Sequence, residues 1–170
     1  GIVISARWPM YLRQRTLAVS QTQATAFSDS QKLAEARTEM QSRFDETLTA
    51  LESAGLRVLV IAPNPETVYS PPLCIGLRRG AHCDLPREVS ETFVRGATTA
   101  LADVVARHPN TRLAQLMDFF CDVETCYVTR NGTILYTDEN HISATAARDL
   151  GRFLAPDLAW LIGKPAIAAE

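Results

Sequence analysis

Two short apolar segments flank one long amphipathic segment, and this order constrains the fold more than any other feature of the chain. The first, "IVISA" at residues 2–6, and the second, "LRVLVIAP" at 56–63, are rich in β-branched residues without polar alternation, as is typical of parallel strands buried on both faces. Between them, apolar residues recur at helical spacing: Leu33, Met40, Phe44, Leu48 and Leu51. A strand, a helix and a second strand predict a right-handed crossover between parallel strands. The predicted fold class is α/β.

Local signals predict the boundaries of further elements. Ser30 is predicted to cap the long helix and Gly55 to end it, and the residues between the first strand and this helix are predicted to form a polar loop. A second amphipathic helix is predicted over residues 87–108, and "TRLAQL" at 111–116 is predicted as a third strand. Residues 63–87 hold five of the nine prolines and are predicted as a long excursion at the C-terminal end of the second strand. Parallel sheets usually bind ligands at that edge.

The C-terminal third contains a hairpin signal and a helix start. Asn131-Gly132 lies between two β-rich runs in "CYVTRNGTILYTD", and both residues accept the positive φ of a type I′ turn. This predicts a hairpin appended to the sheet. Ser143 is predicted to cap a further helix, with Pro156 just past its end.

Composition argues against nucleic acid as a partner and against a membrane-spanning segment. The 170 residues are 46% hydrophobic and 21% charged, which is ordinary for one globular domain over residues 1–170. The formal net charge is -2, without a long run of Lys or Arg, so nucleic acid is not expected to bind. No apolar run approaches the ~20 residues that span a bilayer, because "LRVLVIA" is broken by Arg57 and ended by Pro63. Since "GIVISARW" has the pattern of a core strand from its second residue, we expect further polypeptide upstream.

The four cysteines fall into two close pairs, Cys74 with Cys83 and Cys121 with Cys126. Neither pair has the CxxC spacing of a zinc site, and only His82 lies nearby, so no zinc site is predicted. No metal or other cofactor is expected. The pattern favours two disulfides that close short loops, which implies an oxidising compartment. The alternative is four buried thiols in a cytosolic protein.

An aspartate and a histidine lie three positions apart between the hairpin and the helix that follows it. In a tight turn, Asp138 is close enough to His141 for its carboxylate to orient one nitrogen of the imidazole ring. An imidazole oriented in this way is a general base, because the anion fixes its tautomer and stabilises the imidazolium. The alternative is that Asp138 caps a turn and His141 is a surface residue. His82 and His108 are interpreted as structural residues, His108 because a cation suits the dipole at a helix end.

The same segment carries a resemblance to a known family. "YTDENHIS" resembles the D-x-x-H block that ends the SGNH (GDSL-type) hydrolases and esterases. "IVISARWPMY" and "FFCDVETCYVTRNGTILYTDENHIS" are similar to the periplasmic SGNH domain fused to the C-terminus of membrane O-acyltransferases, which acetylate O-antigen and other cell-surface glycans. The resemblance extends over most of the chain and implies a three-layer α/β/α sandwich with a mainly parallel sheet.

The resemblance implies a Ser-His-Asp mechanism in which His141 is the general base and Asp138 its orienting partner. The family carries its nucleophilic Ser in a Gly-Asp-Ser turn after a strand, and the 170 residues contain no Gly-Asp-Ser. Ser28-Asp29-Ser30 imitates part of that turn, but it follows a polar loop and helix capping explains it better. We therefore expect the Ser to lie upstream, which makes residues 1–170 the C-terminal portion of the domain.

Three further residues are candidates for substrate binding. Arg7 and Trp8 follow the first strand, where the wider family usually carries a Gly-x-Asn-Asp block whose Asn donates to the oxyanion. Arg7 can supply charge there, and Trp8 can stack on a sugar ring, wall the acyl pocket or be a packing residue. Asn64, after the second strand, is a candidate for the pocket rim, and the alternative is a turn residue flanked by prolines.

By this resemblance the chain is the periplasmic domain of an inner-membrane protein. Its expected partners are an acyl donor, an acceptor glycan and a membrane acyltransferase domain in the same polypeptide. The expected reaction moves an acyl group, with acetyl as the expected one, from an acyl-Ser to a sugar hydroxyl. Two alternatives remain: an esterase that removes acetyl groups from carbohydrate, and a catalytically silent glycan-binding module.

Overall fold

The computed structural model describes residues 1–17, 26–78 and 83–163. Its elements, in chain order, are β1 (Ile2–Ser5), α1 (Trp8–Leu17), α2 (Ala26–Ser53), β2 (Val58–Ile61), α3 (Pro71–Arg78), β3 (Leu85–Pro86), α4 (Arg87–Val105), β4 (Thr111–Ala114), α5 (Met117–Phe120), β5 (Thr125–Cys126), β6 (Thr129–Arg130), β7 (Thr133–Ile134), α6 (Ala144–Phe153) and α7 (Ala155–Leu161). The chain divides into two compact units. The first unit is Gly1–Pro63 with Arg95–Ala114, and the second is Asn64–Val94 with Gln115–Glu170.

A three-stranded parallel sheet lies at the centre of the first unit. Its strand order is β1-β2-β4, with Ile2 opposite Val58 and Val58 opposite Thr111. All four residues of β2 are buried, as predicted. Burial alternates along β1 and Val3 is 49% exposed, so the prediction that β1 is buried on both faces was wrong. The reason is that only the face carrying Ile4 packs against the helices of this unit.

Helices α1, α2 and the second half of α4 cover one face of this sheet. Together with β2 they form one apolar cluster: Trp8, Leu12, Phe44, Leu48, Val58, Val60, Ala97, Leu101 and Val104. Ion pairs outside the cluster join Arg37 to Asp103 at 2.6 Å and Arg107 to Asp45 at 2.8 Å. Exposed pairs of this kind contribute little to stability, because water and salt screen them. Burial of the apolar side chains therefore dominates the stability of this layer.

Helix α2 ends at the position that the sequence predicted. Gly55 adopts a φ of +75°, a left-handed conformation that favours glycine. The N–H of Gly55 donates to the carbonyl of Glu52, and the N–H of Leu56 donates to the carbonyl of Leu51. This pair of bonds is a Schellman motif, which satisfies carbonyl groups left open at the helix end. The prediction that Gly55 ends the helix is confirmed.

Two predictions for the N-terminal region were wrong. Helix α2 begins at Ala26, so Ser30 lies inside the helix and is not its N-cap. The segment predicted as a polar loop after β1 begins with a helix, α1. Pro9 is compatible with a helix there because the first turn does not use its missing N–H. The Leu, Arg and Gln residues that follow have high helix propensity, so the segment forms a helix although Arg and Gln are polar.

The second unit contains the predicted hairpin. Strands β6 and β7 pair antiparallel as a two-stranded sheet of their own, with Thr129 opposite Ile134. Asn131 and Gly132 have φ angles of +49° and +76°. Positive φ at both central positions is what a type I′ turn requires. The predicted hairpin and its turn are confirmed, but the prediction that the hairpin is appended to the parallel sheet was wrong, because β6 and β7 form a separate two-stranded sheet.

All four cysteines pair as the sequence predicted. The Cα atoms of Cys74 and Cys83 are 6.0 Å apart, and those of Cys121 and Cys126 are 3.9 Å apart. The second disulfide also lies across an antiparallel bridge between its own two residues. These pairings contradict the alternative of four free thiols.

Prolines mark two helix starts in this unit. Pro71 and Pro72 open α3, a helix that the sequence analysis did not predict within the proline-rich excursion. Ser143 caps α6 as predicted, because its Oγ accepts from the N–H of Ala146 at 3.1 Å. Helix α6 ends before Pro156, which lies in the first turn of α7.

The predicted fold class is confirmed. The described residues form a mixed α/β structure built on parallel strands with intervening helices, consistent with the predicted α/β/α fold. Within the described ranges, none of the helices combines the length and apolar character needed to cross a membrane.

Candidate active site

A short loop between β7 and α6 carries Asp138 and His141. Its two ends are tied together, since Tyr136 and Ile142 form an antiparallel bridge and the N–H of Thr137 donates to the carbonyl of His141 at 2.8 Å. Tyr136 is fully buried, with 1% of its surface exposed. The backbone that presents the two ionisable side chains is therefore held on both sides.

The two carboxylate oxygens of Asp138 have different partners. Oδ1 accepts hydrogen bonds from the backbone N–H of Asn140 at 2.9 Å and of His141 at 2.8 Å, which makes an Asx-turn. Oδ2 lies 2.7 Å from Nδ1 of the His141 ring. The carboxylate thus caps the turn with one oxygen and contacts the imidazole with the other.

These hydrogen bonds lower the pKa of Asp138 from 3.8 to about 2. The largest cause is the N–H of Asn140, followed by the N–H and then the ring of His141. A carboxylate that is ionised at neutral pH can only accept hydrogen bonds, so Nδ1 carries the proton in this contact. The neutral ring then keeps Nε2 as its basic atom, which is the state that a general base needs.

We expect the Asp138 carboxyl to titrate at about pH 2. Because the folded-state pKa lies below the ordinary value of 3.8, the stabilising contribution of the ionised group is complete above 3.8 and is lost as the pH falls toward 2. Carbon-13 NMR of the side-chain carboxyl across the acidic range measures the midpoint. A midpoint at or above 3.8 would contradict the Asx-turn as the resting arrangement of this loop.

The imidazole of His141 is accessible. Its side chain is 71% exposed, so a nucleophile or substrate can reach the ring. Among the residues that the structure describes, none hydrogen-bonds to its Nε2 atom. The backbone of Ser28-Asp29-Ser30 lies within α2 and does not form a turn after a strand. The described part of the chain therefore contains the Asp138–His141 pair, and no described nucleophile is hydrogen-bonded to its ring.

Asn64 lies against this loop, and so does Thr67, which the sequence analysis missed. The Asn64 Nδ2 donates to the carbonyl of Asn140 at 2.9 Å and to that of Pro65 at 3.2 Å. The N–H of Thr67 donates to the carbonyl of Glu139 at 2.8 Å, and its Oγ1 lies 3.2 Å from the same oxygen. No local pattern marks Thr67, because its bonds to this loop are to a backbone atom 72 residues away.

Arg7 and Trp8 belong to the first compact unit. Trp8 is 5% exposed, its Nε1 donates to the carbonyl of Ile61 at 2.7 Å, and its ring packs edge-on against Phe44 at 5.2 Å between centroids. These contacts account for Trp8 as a packing residue, one of the roles considered for it above. Arg7 is exposed directly after β1. A role of either residue in substrate binding stays a prediction.

His108 is a buried histidine between two carboxylates. It is 8% exposed, with Nε2 3.2 Å from Asp45 Oδ1 and Nδ1 3.4 Å from Glu52 Oε2. Hydrogen bonds from Arg107 and then His108 hold the pKa of Asp45 below its usual value. The structural interpretation of His108 agrees with these contacts, and His82 lies outside the described residues.

In the described ranges, no three His, Cys, Asp or Glu side chains are grouped to hold a metal ion.

The parallel α/β fold and an Asp-x-x-His pair before a helix define a hydrolase-like class of protein. Residues 1–156 match the family described as the SGNH domain fused to AT3 domains, and the chain belongs to this family. No curated protein and no solved structure matched the chain. The family supports a hydrolase-like domain of esterase or acyltransferase type. Fusion to AT3 domains supports an acyltransferase domain in the same polypeptide and thus a domain of a membrane protein.

Proposed function

We propose that this chain takes part in O-acyl transfer, with acetyl as the acyl group, to a cell-surface polysaccharide. The observation that carries the proposal is the 2.7 Å contact between Asp138 Oδ2 and His141 Nδ1 on an accessible loop. A positioned carboxylate and imidazole are the acid–base machinery of acyl transfer through a Ser nucleophile. Membership of a family whose domains are fused to AT3 domains supports an acyltransferase context.

In the first half-reaction, a Ser hydroxyl attacks the carbonyl carbon of the acyl donor while Nε2 of His141 takes its proton. The Ser oxygen becomes bonded to the acyl carbon, the bond to the leaving group breaks, and the imidazolium returns the proton to that group. In the second half-reaction, a sugar hydroxyl gives its proton to Nε2 and attacks the acyl-Ser. The released Ser oxygen takes the proton back, and Asp138 stabilises the imidazolium in both halves.

In this proposal the nucleophile lies in a Gly-Asp-Ser segment upstream in the same polypeptide, and residues 1–170 are the C-terminal portion of one SGNH domain. The family match supports a single domain, because it runs through both compact units. The chemistry supports an upstream Ser, since the mechanism requires one and the 170 residues contain no Gly-Asp-Ser.

The proposed location is the periplasmic side of an inner-membrane protein. Two disulfides support an oxidising compartment, because cytosolic thiols are normally kept reduced. The family's fusion to AT3 domains supports attachment to a membrane acyltransferase. The acceptor in this location is a polysaccharide on its way to the cell surface.

The test is an assay of the polypeptide together with its AT3 domain, supplied with a labelled acetyl donor and an acceptor polysaccharide. We expect label in the polysaccharide to exceed label released as acetate. The accessibility of His141 to water favours a second candidate, a carbohydrate O-acetyl esterase, which would release acetate from an acetylated glycan without transferring it. Glycan binding with neither reaction would contradict both and identify a silent binding module.

A further inference from the structure

Three peptide groups separate Asp138 from His141, and the last two both donate to the same carboxylate oxygen. The first of these two joins Glu139 to Asn140, and its N–H donates to Asp138 Oδ1 at 2.9 Å. The second joins Asn140 to His141, and its N–H donates to the same oxygen at 2.8 Å. The orientation of these two peptide groups therefore sets where Oδ1 lies, and with it where Oδ2 meets the imidazole.

The carbonyl ends of the same two peptide groups are held by residues 64–67. The Glu139 carbonyl accepts from the N–H of Thr67 at 2.8 Å. The Asn140 carbonyl accepts from Nδ2 of Asn64 at 2.9 Å. Each peptide group is thus bonded at both ends, to Asp138 on one side and to the segment after β2 on the other.

The segment that holds these carbonyls is itself rigid. Pro65 is fully buried, and its ring fixes φ between the two donors. Thr67 is 9% exposed, and its Oγ1 donates to the carbonyl of Tyr69 at 2.5 Å, which closes a turn around it. The backbone N–H of Thr67 therefore loses little further freedom when it holds the loop, and the Asn64 amide is restrained by its second bond, to the carbonyl of Pro65.

A peptide group that accepts at its oxygen becomes a stronger donor at its nitrogen, since hydrogen bonds in a chain polarise one another. The bonds from Asn64 and Thr67 therefore strengthen the two bonds to Asp138 as well as fixing their direction.

We propose that Asn64 and Thr67 are positioning residues for the Asp138–His141 pair, acting through these two peptide groups. This role replaces substrate contact as the function of Asn64, because its amide hydrogens are directed at Asn140 and Pro65. The catalytic consequence rests on the proposed function, while the effect on the loop does not.

The test of positioning is amide hydrogen exchange at Asn140 and His141, read by NMR on the SGNH domain together with its proposed upstream segment, which needs no activity. Loss of one such hydrogen bond costs about 0.5–1.5 kcal/mol, so we expect Asn64→Ala to speed exchange at His141 by roughly 2- to 13-fold. Gln41→Ala is the matched control, because it removes a side-chain amide that donates to a backbone carbonyl of the other unit, Ala100, at 3.2 Å. The control is expected to leave exchange at His141 unchanged.

Two substitutions of Thr67 test the contribution of its hydroxyl separately from that of its backbone N–H. Thr67→Val keeps the N–H bond to Glu139 and removes the hydroxyl that closes the turn, so we expect a smaller rise in exchange at Asn140. Thr67→Ser retains the hydroxyl and is expected to restore the original rate. Equal rates in the native chain, Asn64→Ala and Thr67→Val would overturn the proposal.

Kinetics of the polypeptide with its AT3 domain separate positioning from substrate contact. A positioning role predicts that Asn64→Ala lowers kcat with KM unchanged, whereas a substrate contact raises KM and leaves exchange at His141 unaltered. The second pattern would overturn the proposal. Faster exchange in Asn64→Ala, combined with full turnover in His141→Ala, would support the positioning of the loop and overturn the proposed function instead.

Discussion

Replacing His141 with alanine is expected to abolish acyl transfer while leaving the fold intact. Loss of a general base typically lowers turnover by ~10²- to 10⁴-fold, because no other group takes the proton of the nucleophile. The His141 side chain is 71% exposed, so its removal opens no cavity in a core. Turnover of the polypeptide with its AT3 domain and thermal unfolding of the same sample are the two measurements.

The matched control for this change is His108→Ala. His108 is buried between Asp45 and Glu52 in the first compact unit, so its removal is expected to lower the melting temperature. Turnover per folded molecule should stay close to the native value. Full turnover in His141→Ala, or an equal loss in both variants, would contradict the assignment of His141 as the base.

Asp138→Asn is expected to lower turnover by at least roughly a hundredfold with little change in melting temperature. An amide oxygen in place of Oδ1 can still accept from the N–H groups of Asn140 and His141, so the turn is retained. The amide NH₂ in place of Oδ2 donates toward Nδ1, which favours the wrong tautomer and does not stabilise the imidazolium. In the serine-protease triad the equivalent change lowers kcat by ~10⁴-fold, which is the largest loss expected here.

Two comparisons make this experiment decisive. Asp149→Asn is the matched control, because it removes the same charge from an exposed aspartate of α6 that pairs with Arg152. The double variant of Asp138→Asn with His141→Ala should lose little more than His141→Ala alone, since residues that act as one unit are strongly non-additive. Losses that multiply would show that the two residues act separately. If Asp138→Asn turns over at a rate near the native one, the carboxylate only caps the turn and does not take part in catalysis.

Local sequence signals were sufficient for elements whose bonds are made between near neighbours. The turn at Asn131-Gly132, the glycine that ends α2 and the Ser143 cap each depend on residues within a few positions, and each is present as predicted. The Asp138 contact with His141 belongs to the same group, because it closes over three residues. The parallel strands were predictable for a different reason. Strands buried within a parallel sheet are continuous apolar runs, and such runs can be recognised in the sequence.

Predictions failed where polarity was taken as the guide to backbone conformation. The polar residues of α1 lie in its C-terminal half, and the apolar residues Trp8 and Leu12 of its first half pack against the core. Helix α3 was missed because its two prolines indicate a turn as readily as a first helical turn. In both segments, local propensity permits either state, and packing selects the helix.

The sequence by itself determined the fold class, the four paired cysteines and the two ionisable residues at the junction after the hairpin. Only the tertiary structure decided what holds that junction in place. Asn64 and Thr67 reach backbone carbonyls 76 and 72 residues further along the chain, and a backbone carbonyl carries no side-chain identity that a sequence pattern could reveal. Such contacts exist only after the chain has brought two distant loops together, and for that reason they were not predictable from local sequence.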